Sequence, residues 1–195
     1  EAIVHAFLAE VDLPIERAVF GVAGPVTGGQ ATITNLPWII RESRLQEVLQ
    51  VESVTVLNDL QAIAYAVPFL EPAELHTLND GDVEPRGPIA VIAPGTGLGE
   101  AYLTWDGSHY RSHASEGGHA DFAPTDELEM SLLRYMLRLY DHVSYEKVCS
   151  GLGIRNLYFF LKNTGYAPEP PWLAKQLLEC SDPTPLIVNA ALNHE

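Results

Sequence analysis

Apolar positions along the chain follow two different periods. Spacing of one helical turn predicts helices around Ile3–Leu8, Ser43–Gln50, Ala62–Val67, Leu132–Tyr140, Ile154–Leu161 and Pro185–Leu192. Short β-branched or apolar runs predict strands at Arg17–Val22, Ala31–Thr34, Ser53–Leu57, Ile89–Ala93, Ala101–Trp105 and Tyr110–His113. Strands and helices alternate throughout, so the pattern predicts an α/β protein whose polar sites lie at strand ends.

Turn and cap residues set the boundaries between these elements. Asp106-Gly107 predicts a β-hairpin between two of the strands. Asp126, with Glu129 three residues later, resembles a capping box, and Ser144 is a candidate cap for a second helical region. Residues 71–88 contain prolines, glycines and acids, which predicts a loop with a domain hinge. We therefore expect one α/β domain over residues 1–68 and a second over 69–195.

Composition narrows the classes of partner. The 195 residues have a formal net charge of −15, with 26 acidic against 11 basic side chains, which disfavours binding to nucleic acid. No apolar run is long enough to span a bilayer, and Ala62–Leu70 is an example. No signal peptide is visible at Glu1-Ala2-Ile3. The two cysteines, Cys149 and Cys180, are expected to be reduced thiols in a cytosolic protein.

The first candidate for chemistry is Asn58-Asp59, directly after a β-branched run. A carboxylate at the end of a strand can accept a proton from an attacking hydroxyl group, and the amide can hold a neighbouring hydroxyl. The alternative is that Asp59 only caps the following helix. For an isolated Asn-Asp pair, capping is the more common role.

The second candidate is the glycine-rich segment Gly95-Thr96-Gly97-Leu98-Gly99. Glycines after a strand expose backbone N–H groups and let a phosphate approach closely. The segment matches neither a dinucleotide fingerprint nor a Walker A loop, and a strand follows it. It is therefore a candidate phosphate-binding hairpin, with an ordinary tight turn as an equally good alternative.

The third candidate is Glu116-Gly117-Gly118-His119-Ala120-Asp121-Phe122. A carboxylate and an imidazole placed side by side can bind vicinal hydroxyls of a sugar. A metal site of His119 with His113 or Asp121 is a weaker alternative, because no zinc-ligand spacing is present. Glu146 also stands at the start of a predicted helix, and its own context gives no functional signal.

These segments together resemble the bacterial glucokinase family, within the actin-like ATPase and hexokinase group. The matching stretches occur in the family's order: Val22–Val26, Thr34–Trp38, Leu57–Asp59, Gly95–Gly99, Glu116–Phe122 and His142–Glu146. The resemblance implies an actin-like ATPase (ribonuclease H-like) fold with two α/β domains and mixed sheets around a sugar cleft. It also implies ATP-dependent phosphorylation of glucose to glucose 6-phosphate, with Mg²⁺, in the cytoplasm. Members of the family are often dimers, which leaves a homodimer open.

The resemblance also assigns roles to individual positions. Asp59 would be the catalytic base that takes the proton from the glucose 6-hydroxyl. The other sugar hydroxyls would be held by Asn58, Glu116, His119 and Glu146. The hairpin that meets the ATP phosphates would consist of Gly95, Thr96, Gly97 and Gly99.

Two departures from related patterns affect this assignment. Sugar kinases of the ROK group bind a structural zinc through a cysteine cluster, and residues 121–139 contain no cysteine, which favours the glucokinase branch without a metal site. The family's opening Asp-x-Gly-Gly-Thr loop is not found in the sequence. We therefore expect a fragment or truncated product that is a poor kinase on its own. The competing hypotheses are a non-catalytic sugar-binding relative and a remnant reading frame.

Overall fold

The computed structural model describes residues 2–10, 14–34 and 36–193. The chain divides into two compact units. The first unit comprises residues 1–91 and 101–114, and the second comprises residues 92–100 and 115–195. The hinge expected within residues 71–88 and the domain division after residue 68 stay predictions.

The first unit begins with a mixture of short strands and three helices. In chain order these are α1 (Ala2–Glu10), β1 (Arg17–Val22), β2 (Val26–Thr27), β3 (Gln30–Thr32), β4 (Ile39–Arg41), α2 (Glu42–Leu49), β5 (Ser53–Asn58) and α3 (Asp59–Ala66). β1 and β5 pair in parallel, while β2, β3 and β4 form an antiparallel sheet. The expected mixture of strands and helices is confirmed.

Residues 67–88 form no α-helix or strand, as expected for a loop. Three further strands follow: β6 (Ile89–Pro94), β7 (Leu98–Trp105) and β8 (Tyr110–Ser115). They form one sheet with β7 in the middle, and the chain passes between the two units within β6, β7 and the end of β8.

The hairpin predicted at Asp106-Gly107 is confirmed between β7 and β8. Asp106 accepts hydrogen bonds from the backbone N–H groups of His109 and Ser108, and its carboxylate pairs with Arg111. These donors, the backbone N–H of His109 first, hold the pKa of Asp106 far below its usual range. Gly107 has a φ of 103°, which a side chain would disfavour.

The parallel pair of the first unit fixes the position of Asn58. In the register of β1 and β5, Val22 lies opposite Asn58, so both strands end at the same edge. β5 alternates between exposed and buried positions, and Val54 and Val56 lie in a core that packs under the strands. Its other buried members are Val22, Ala31, Leu45 and Val51. This core holds the carboxyl end of β5 in place, where α3 begins.

Asn58 is the N-cap of α3. Its Oδ1 accepts hydrogen bonds from the N–H groups of Leu60 and Gln61, at 3.1 Å each. We expect Asn58→Ala to lower the free energy of unfolding by about 0.5–2 kcal/mol, because the N–H of Gln61 loses its acceptor and the N–H of Leu60 keeps only Oδ1 of Asp59. Asn58→Ser keeps an acceptor, so its free energy of unfolding should lie within about a few tenths of a kcal/mol of that of the unsubstituted protein. Urea denaturation of the full-length variants measures this, and equal midpoints for Ala and Ser would contradict the capping role.

The second unit is mainly helical. It contains α4 (Glu127–Met136), α5 (Gly151–Asn163), α6 (Pro171–Glu179) and α7 (Thr184–Leu192), together with 3₁₀ turns at Gly117–His119 and Tyr145–Lys147. Leu132, Met136, Val143 and Phe160 form its buried core, with half-buried aliphatic and aromatic side chains around them. The core joins α4 to α5 across the segment that contains Val143.

Two predicted helix caps differ from the structure. Asp126 does cap α4 by accepting from the N–H of Glu129, but the Glu129 carboxylate accepts from Thr125 rather than from Asp126. The predicted box is therefore half formed. Ser144 makes no capping bond, and Ser150 caps α5 instead by accepting from the N–H of Gly153 at 3.1 Å. In the first case Thr125 donates to the Glu129 carboxylate that the box would have used. In the second case Ser150, and not Ser144, stands directly before the α-helix.

A half-buried polar contact fixes the chain between α5 and α6. Glu169 accepts a hydrogen bond from the Tyr158 hydroxyl at 2.7 Å and pairs with Lys162 at 2.8 Å. The bond from Lys162 holds the pKa of Glu169 below its usual range. Burial, and then Glu169, raise the pKa of Tyr158 well above its ordinary value. This contact orients the loop that precedes Pro171.

Within residues 2–10, 14–34 and 36–193, no helix is both long and apolar enough to cross a membrane. Cys149 and Cys180 are both free thiols, as expected.

Candidate functional site

Two segments of the second unit that are distant in sequence are joined by their backbones. The N–H of Phe122 donates to the carbonyl of Val143 at 2.9 Å, and the N–H of Tyr145 donates to the carbonyl of Ala120 at 3.0 Å. Asp121 and Ser144 form an antiparallel bridge between them. Because each segment is followed or preceded by a 3₁₀ turn, the pairing brings those two turns together.

The pairing brings three of the predicted sugar-binding residues together. His119 lies between two carboxylates: Nε2 is 3.7 Å from Oε2 of Glu116, and Nδ1 is 4.0 Å from Oε1 of Glu146. Neither separation is a hydrogen bond. The side chains of Glu116 and His119 are 74% and 61% exposed, while Glu146 is 21% exposed. These polar atoms therefore remain available to accept from or donate to hydroxyl groups of a ligand.

Glu146 also contacts the glycine hairpin. Its Oε2 accepts a hydrogen bond from the N–H of Leu98 at 3.1 Å. A Cβ atom on Gly97 would lie 2.5 Å from the same oxygen, so a side chain at this position would displace the carboxylate from where it lies. The local sequence around Glu146 gives no sign of this contact, because the two partners are 48 residues apart.

The glycine segment forms a turn between two strands, as predicted. β6 ends at Pro94 and β7 begins at Leu98, so Gly99 lies in the strand rather than in the turn. The N–H of Gly95 donates to the carbonyl of Gly97 at 2.8 Å and closes the turn. Among the residues that the structure describes, the N–H groups of Thr96 and Gly97 have no acceptor. Two adjacent free N–H groups suit an anionic oxygen.

Close backbone packing surrounds this turn. The N–H of Gly151, at the start of α5, donates to the carbonyl of Gly95 at 2.8 Å, and a Cβ atom on Gly151 would lie 3.2 Å from that oxygen. A Cβ atom on Gly118 would overlap the carbonyl oxygen of Leu98. The hairpin therefore touches both the α5 N-terminus and the turn that contains His119 without side chains in between.

An open cavity of about 380 Å³ lies beside the hairpin in the same unit. Its lining consists of Gly95, Thr96, Gly151, Leu152, Arg155, Asp182, Thr184 and Pro185. The Thr184 hydroxyl donates to the carbonyl of Gly151 at 3.0 Å, and the Thr184 N–H donates to Oδ1 of Asp182 at 3.1 Å. Sequence reasoning did not identify Arg155 or Asp182, because neither lies in a recognisable motif.

Asn58 and Asp59 belong to the first unit. Asn58 donates from Nδ2 to the carbonyl of Gly24 at 3.3 Å, in addition to capping α3. Asp59 is the first residue of α3, and its Oδ1 accepts from the N–H of Leu60 at 2.9 Å. Capping is therefore chiefly the work of Asn58. Oδ2 of Asp59 has no hydrogen bond with any described residue, which leaves it able to accept a proton.

The weaker metal alternative is not assembled. Asp121 pairs with His142 at 2.5 Å, and Nε2 of His113 lies 3.0 Å from the Thr104 hydroxyl. In the described part of the chain, no group of three or more His, Cys, Asp or Glu side chains could hold a metal ion.

Two larger cavities, of about 690 and 600 Å³, flank α1 in the first unit. Aliphatic and aromatic side chains such as Ile3, Val4 and Phe20 line both of them. Polar donors and acceptors for a sugar or a nucleotide are few there. Size alone therefore does not mark the functional site in this chain.

The glucokinase family model matches residues 1–195. The chain belongs to the glucokinase family. It is 42% identical to the glucokinase of Nostoc punctiforme over 176 residues, which is 89% of this chain and 52% of that relative. It is 38% identical to the glucokinase of Synechocystis over 161 residues, which is 81% of this chain and 45% of that relative. The chain thus spans about half the length of the curated relatives it matches.

Solved structures agree with the family assignment. A glucokinase from an Antarctic psychrotroph superposes with a TM-score of 0.75 at 30% identity, covering 96% of this chain and 60% of that one. A glucokinase from Balamuthia mandrillaris in complex with glucose has a TM-score of 0.65 at 21% identity, covering 86% and 52%, and supports the fold alone. The predicted α/β fold of the actin-like ATPase class is confirmed for this glucokinase-family chain.

Proposed function

We propose that the protein containing this chain phosphorylates glucose with ATP, giving glucose 6-phosphate and ADP. The observation that supports this most directly is that Glu146 contacts both the glycine hairpin and His119. This carboxylate is bonded to the N–H of Leu98 in the glycine hairpin and lies 4.0 Å from His119. A candidate sugar-binding group and a candidate phosphate-binding turn are therefore neighbours in one unit, as a kinase requires.

Asp59 is proposed as the general base. The glucose 6-hydroxyl oxygen attacks the γ-phosphorus of ATP, the bond from that phosphorus to the β,γ-bridging oxygen breaks, and ADP leaves with the electron pair. The proton of the attacking hydroxyl passes to Asp59. Its Oδ2 has no partner among the described residues, which supports the proposal that this oxygen receives the proton. Positioning and charge stabilisation supply most of the remaining rate.

The sugar would be held by directional hydrogen bonds from four side chains. Glu116, His119 and Glu146 supply two carboxylates and an imidazole whose separations of 3.7 and 4.0 Å are too long for hydrogen bonds between them. Asn58 already uses Oδ1 to cap α3 and Nδ2 to donate to the carbonyl of Gly24. Its proposed role is to fix the end of β5 and to offer the hydrogen-bonding capacity that remains on its amide to a sugar hydroxyl. Groups of this type discriminate against analogues that lack a hydroxyl.

The phosphates of ATP would meet the hairpin of Gly95, Thr96, Gly97 and Gly99. The N–H groups of Thr96 and Gly97, which have no acceptor among the described residues, support this role. Mg²⁺ commonly binds through substrate phosphates with one or two protein carboxylates, so it is proposed to arrive with ATP rather than in a cage of protein ligands. When bound, it neutralises charge on the transferred group.

The wider setting follows from the same proposal. Glucose and ATP are the small-molecule partners, and the net charge of −15 argues against a nucleic-acid partner. A cytoplasmic location suits a reaction that consumes ATP and suits free thiols at Cys149 and Cys180. A homodimer is proposed from family resemblance.

Glucose titration of the full-length protein, followed by tryptophan fluorescence, tests the proposal together with a coupled assay for glucose 6-phosphate. We expect saturable glucose binding, no response to galactose, and ATP-dependent product. Glu116→Gln should weaken glucose binding by about tenfold or more, because a charge-assisted hydrogen bond is lost. Glu127→Gln is the matched control, since Glu127 is an exposed glutamate in the first turn of α4.

Product formation without any effect of Glu116→Gln would contradict the assigned sugar site. Glucose binding without product, in protein shown to be folded, would favour the non-catalytic sugar-binding relative.

A further inference from the structure

The cavity beside the glycine hairpin is lined by one cationic side chain, Arg155, to which the proposed function gives no role. Arg155 lines the cavity together with Gly95, Thr96 and Gly151. Gly151 and Arg155 are four residues apart on α5, so their side-chain positions lie on the same face of the helix. Because Gly151 is bonded to Gly95, that face of α5 is the one turned to the hairpin.

The guanidinium of Arg155 is exposed and uncommitted. It forms no hydrogen bond, ion pair or ring contact with any residue that the structure describes. The N–H of Leu152, another lining residue, likewise has no acceptor in the described part of the chain. In a chain with a net charge of −15, an anionic ligand needs a local source of positive charge. Arginine supplies it in a planar, multidentate form that matches phosphate oxygens.

The cavity also contains a carboxylate, which limits where phosphates can lie. Oδ1 of Asp182 accepts from the N–H of Thr184, and Thr184 is anchored in turn to the carbonyl of Gly151. A carboxylate repels phosphate but accepts hydrogen bonds from hydroxyl groups. The lining therefore offers a cation and free N–H groups for phosphates and a separate acceptor for a hydroxyl-bearing group. Its volume of about 380 Å³ is within the usual range of small-molecule sites.

We propose that Arg155 binds a phosphate of the donor that is not transferred, and that Asp182 accepts a hydrogen bond from the donor's ribose. This assignment rests on the proposed kinase function and names two residues for its donor. It makes the cavity selective for a nucleotide over a bare phosphate chain, because the ribose hydroxyl adds a contact that inorganic phosphates lack.

The test compares Arg155→Gln, Arg155→Lys and Asp182→Asn in the full-length protein. Lys175→Gln is the matched control, because Lys175 is an exposed cation on α6 that does not line the cavity. Dissociation constants for ADP, inorganic tripolyphosphate and glucose are measured by calorimetry at two salt concentrations. Asparagine at position 182 keeps an acceptor for the Thr184 N–H, so the local turn is preserved.

Arg155→Gln should weaken the binding of both ADP and tripolyphosphate by about 10- to 100-fold, since a charge-assisted bond to phosphate is lost. The affinity for glucose should be unchanged. The salt dependence of ADP binding should become shallower, and Arg155→Lys should recover part of the affinity. Asp182→Asn should weaken the binding of ADP, whereas tripolyphosphate should bind with unchanged or higher affinity.

Two results would overturn the proposal. One is ADP binding by Arg155→Gln that equals the Lys175→Gln control in an enzyme that still phosphorylates glucose, which leaves the kinase function standing. The other is an equal loss of ADP and tripolyphosphate affinity in Asp182→Asn, which removes the ribose contact. A full-length protein that forms no glucose 6-phosphate at all would instead count against the proposed function.

Discussion

Asp59→Asn is expected to lower kcat for glucose phosphorylation by about 10²- to 10⁴-fold, because the attacking hydroxyl loses its proton acceptor. Glucose binding should stay within about threefold, since asparagine can still accept at Oδ1 from the N–H of Leu60. A coupled assay gives kcat, and fluorescence titration gives the dissociation constant.

Asp80→Asn provides the matched control for this result. Asp80 is an exposed aspartate of the loop between α3 and β6, and it has no recorded partner in the described part of the chain. Both variants remove one negative charge from the first unit. A kcat for Asp59→Asn close to that of Asp80→Asn would exclude Asp59 as the base.

Gly97→Ala is expected to weaken both glucose and ADP binding, each by about tenfold or more, because a hydrogen bond to a charged group is lost. The new Cβ atom would lie 2.5 Å from Oε2 and 3.3 Å from Cδ of Glu146, so the carboxylate must move. Movement breaks its bond with the N–H of Leu98 and changes its position beside His119. Calorimetry with each ligand separately measures the two losses.

Gly95→Ala separates this effect from a general disturbance of the hairpin. The nearest atom to a Cβ at Gly95 is the carbonyl oxygen of Gly97 at 4.0 Å, so the protein itself accommodates the methyl group. Gly95→Ala should therefore weaken the binding of ADP, because its phosphates approach the hairpin, and should leave glucose binding unchanged. Normal glucose binding by Gly97→Ala as well would show that Glu146 does not hold the sugar.

Much of the secondary structure follows from local sequence. β1 begins and ends at the predicted residues, and β5 extends the predicted strand by one residue to Asn58. β5 is rich in β-branched residues and β1 is mostly apolar, and both contribute side chains to one core, where local preference and burial agree. The hairpin at Asp106-Gly107 was equally predictable, because its turn chemistry lies within a few residues.

Other features depend on contacts that no local pattern contains. Asp126 and Glu129 have the spacing of a capping box, yet Thr125 competes successfully for the Glu129 carboxylate. The bond between Glu146 and Leu98 requires the pairing of two distant segments. Family resemblance named Glu146, and only the fold supplies a physical reason for it. Arg155 lies outside every motif and becomes visible only as part of a cavity lining.

The close packing of backbone against backbone around the hairpin affects the entropy of ligand binding. Gly118 against the carbonyl of Leu98 and Gly151 against the carbonyl of Gly95 add no glycine side chain whose rotamers would be frozen at those contacts. Glycine loses more conformational freedom on folding than any other residue, so the ordering cost is met when the chain folds. A ligand arriving at such a surface has less disorder to remove, and a larger share of its contact energy appears as affinity.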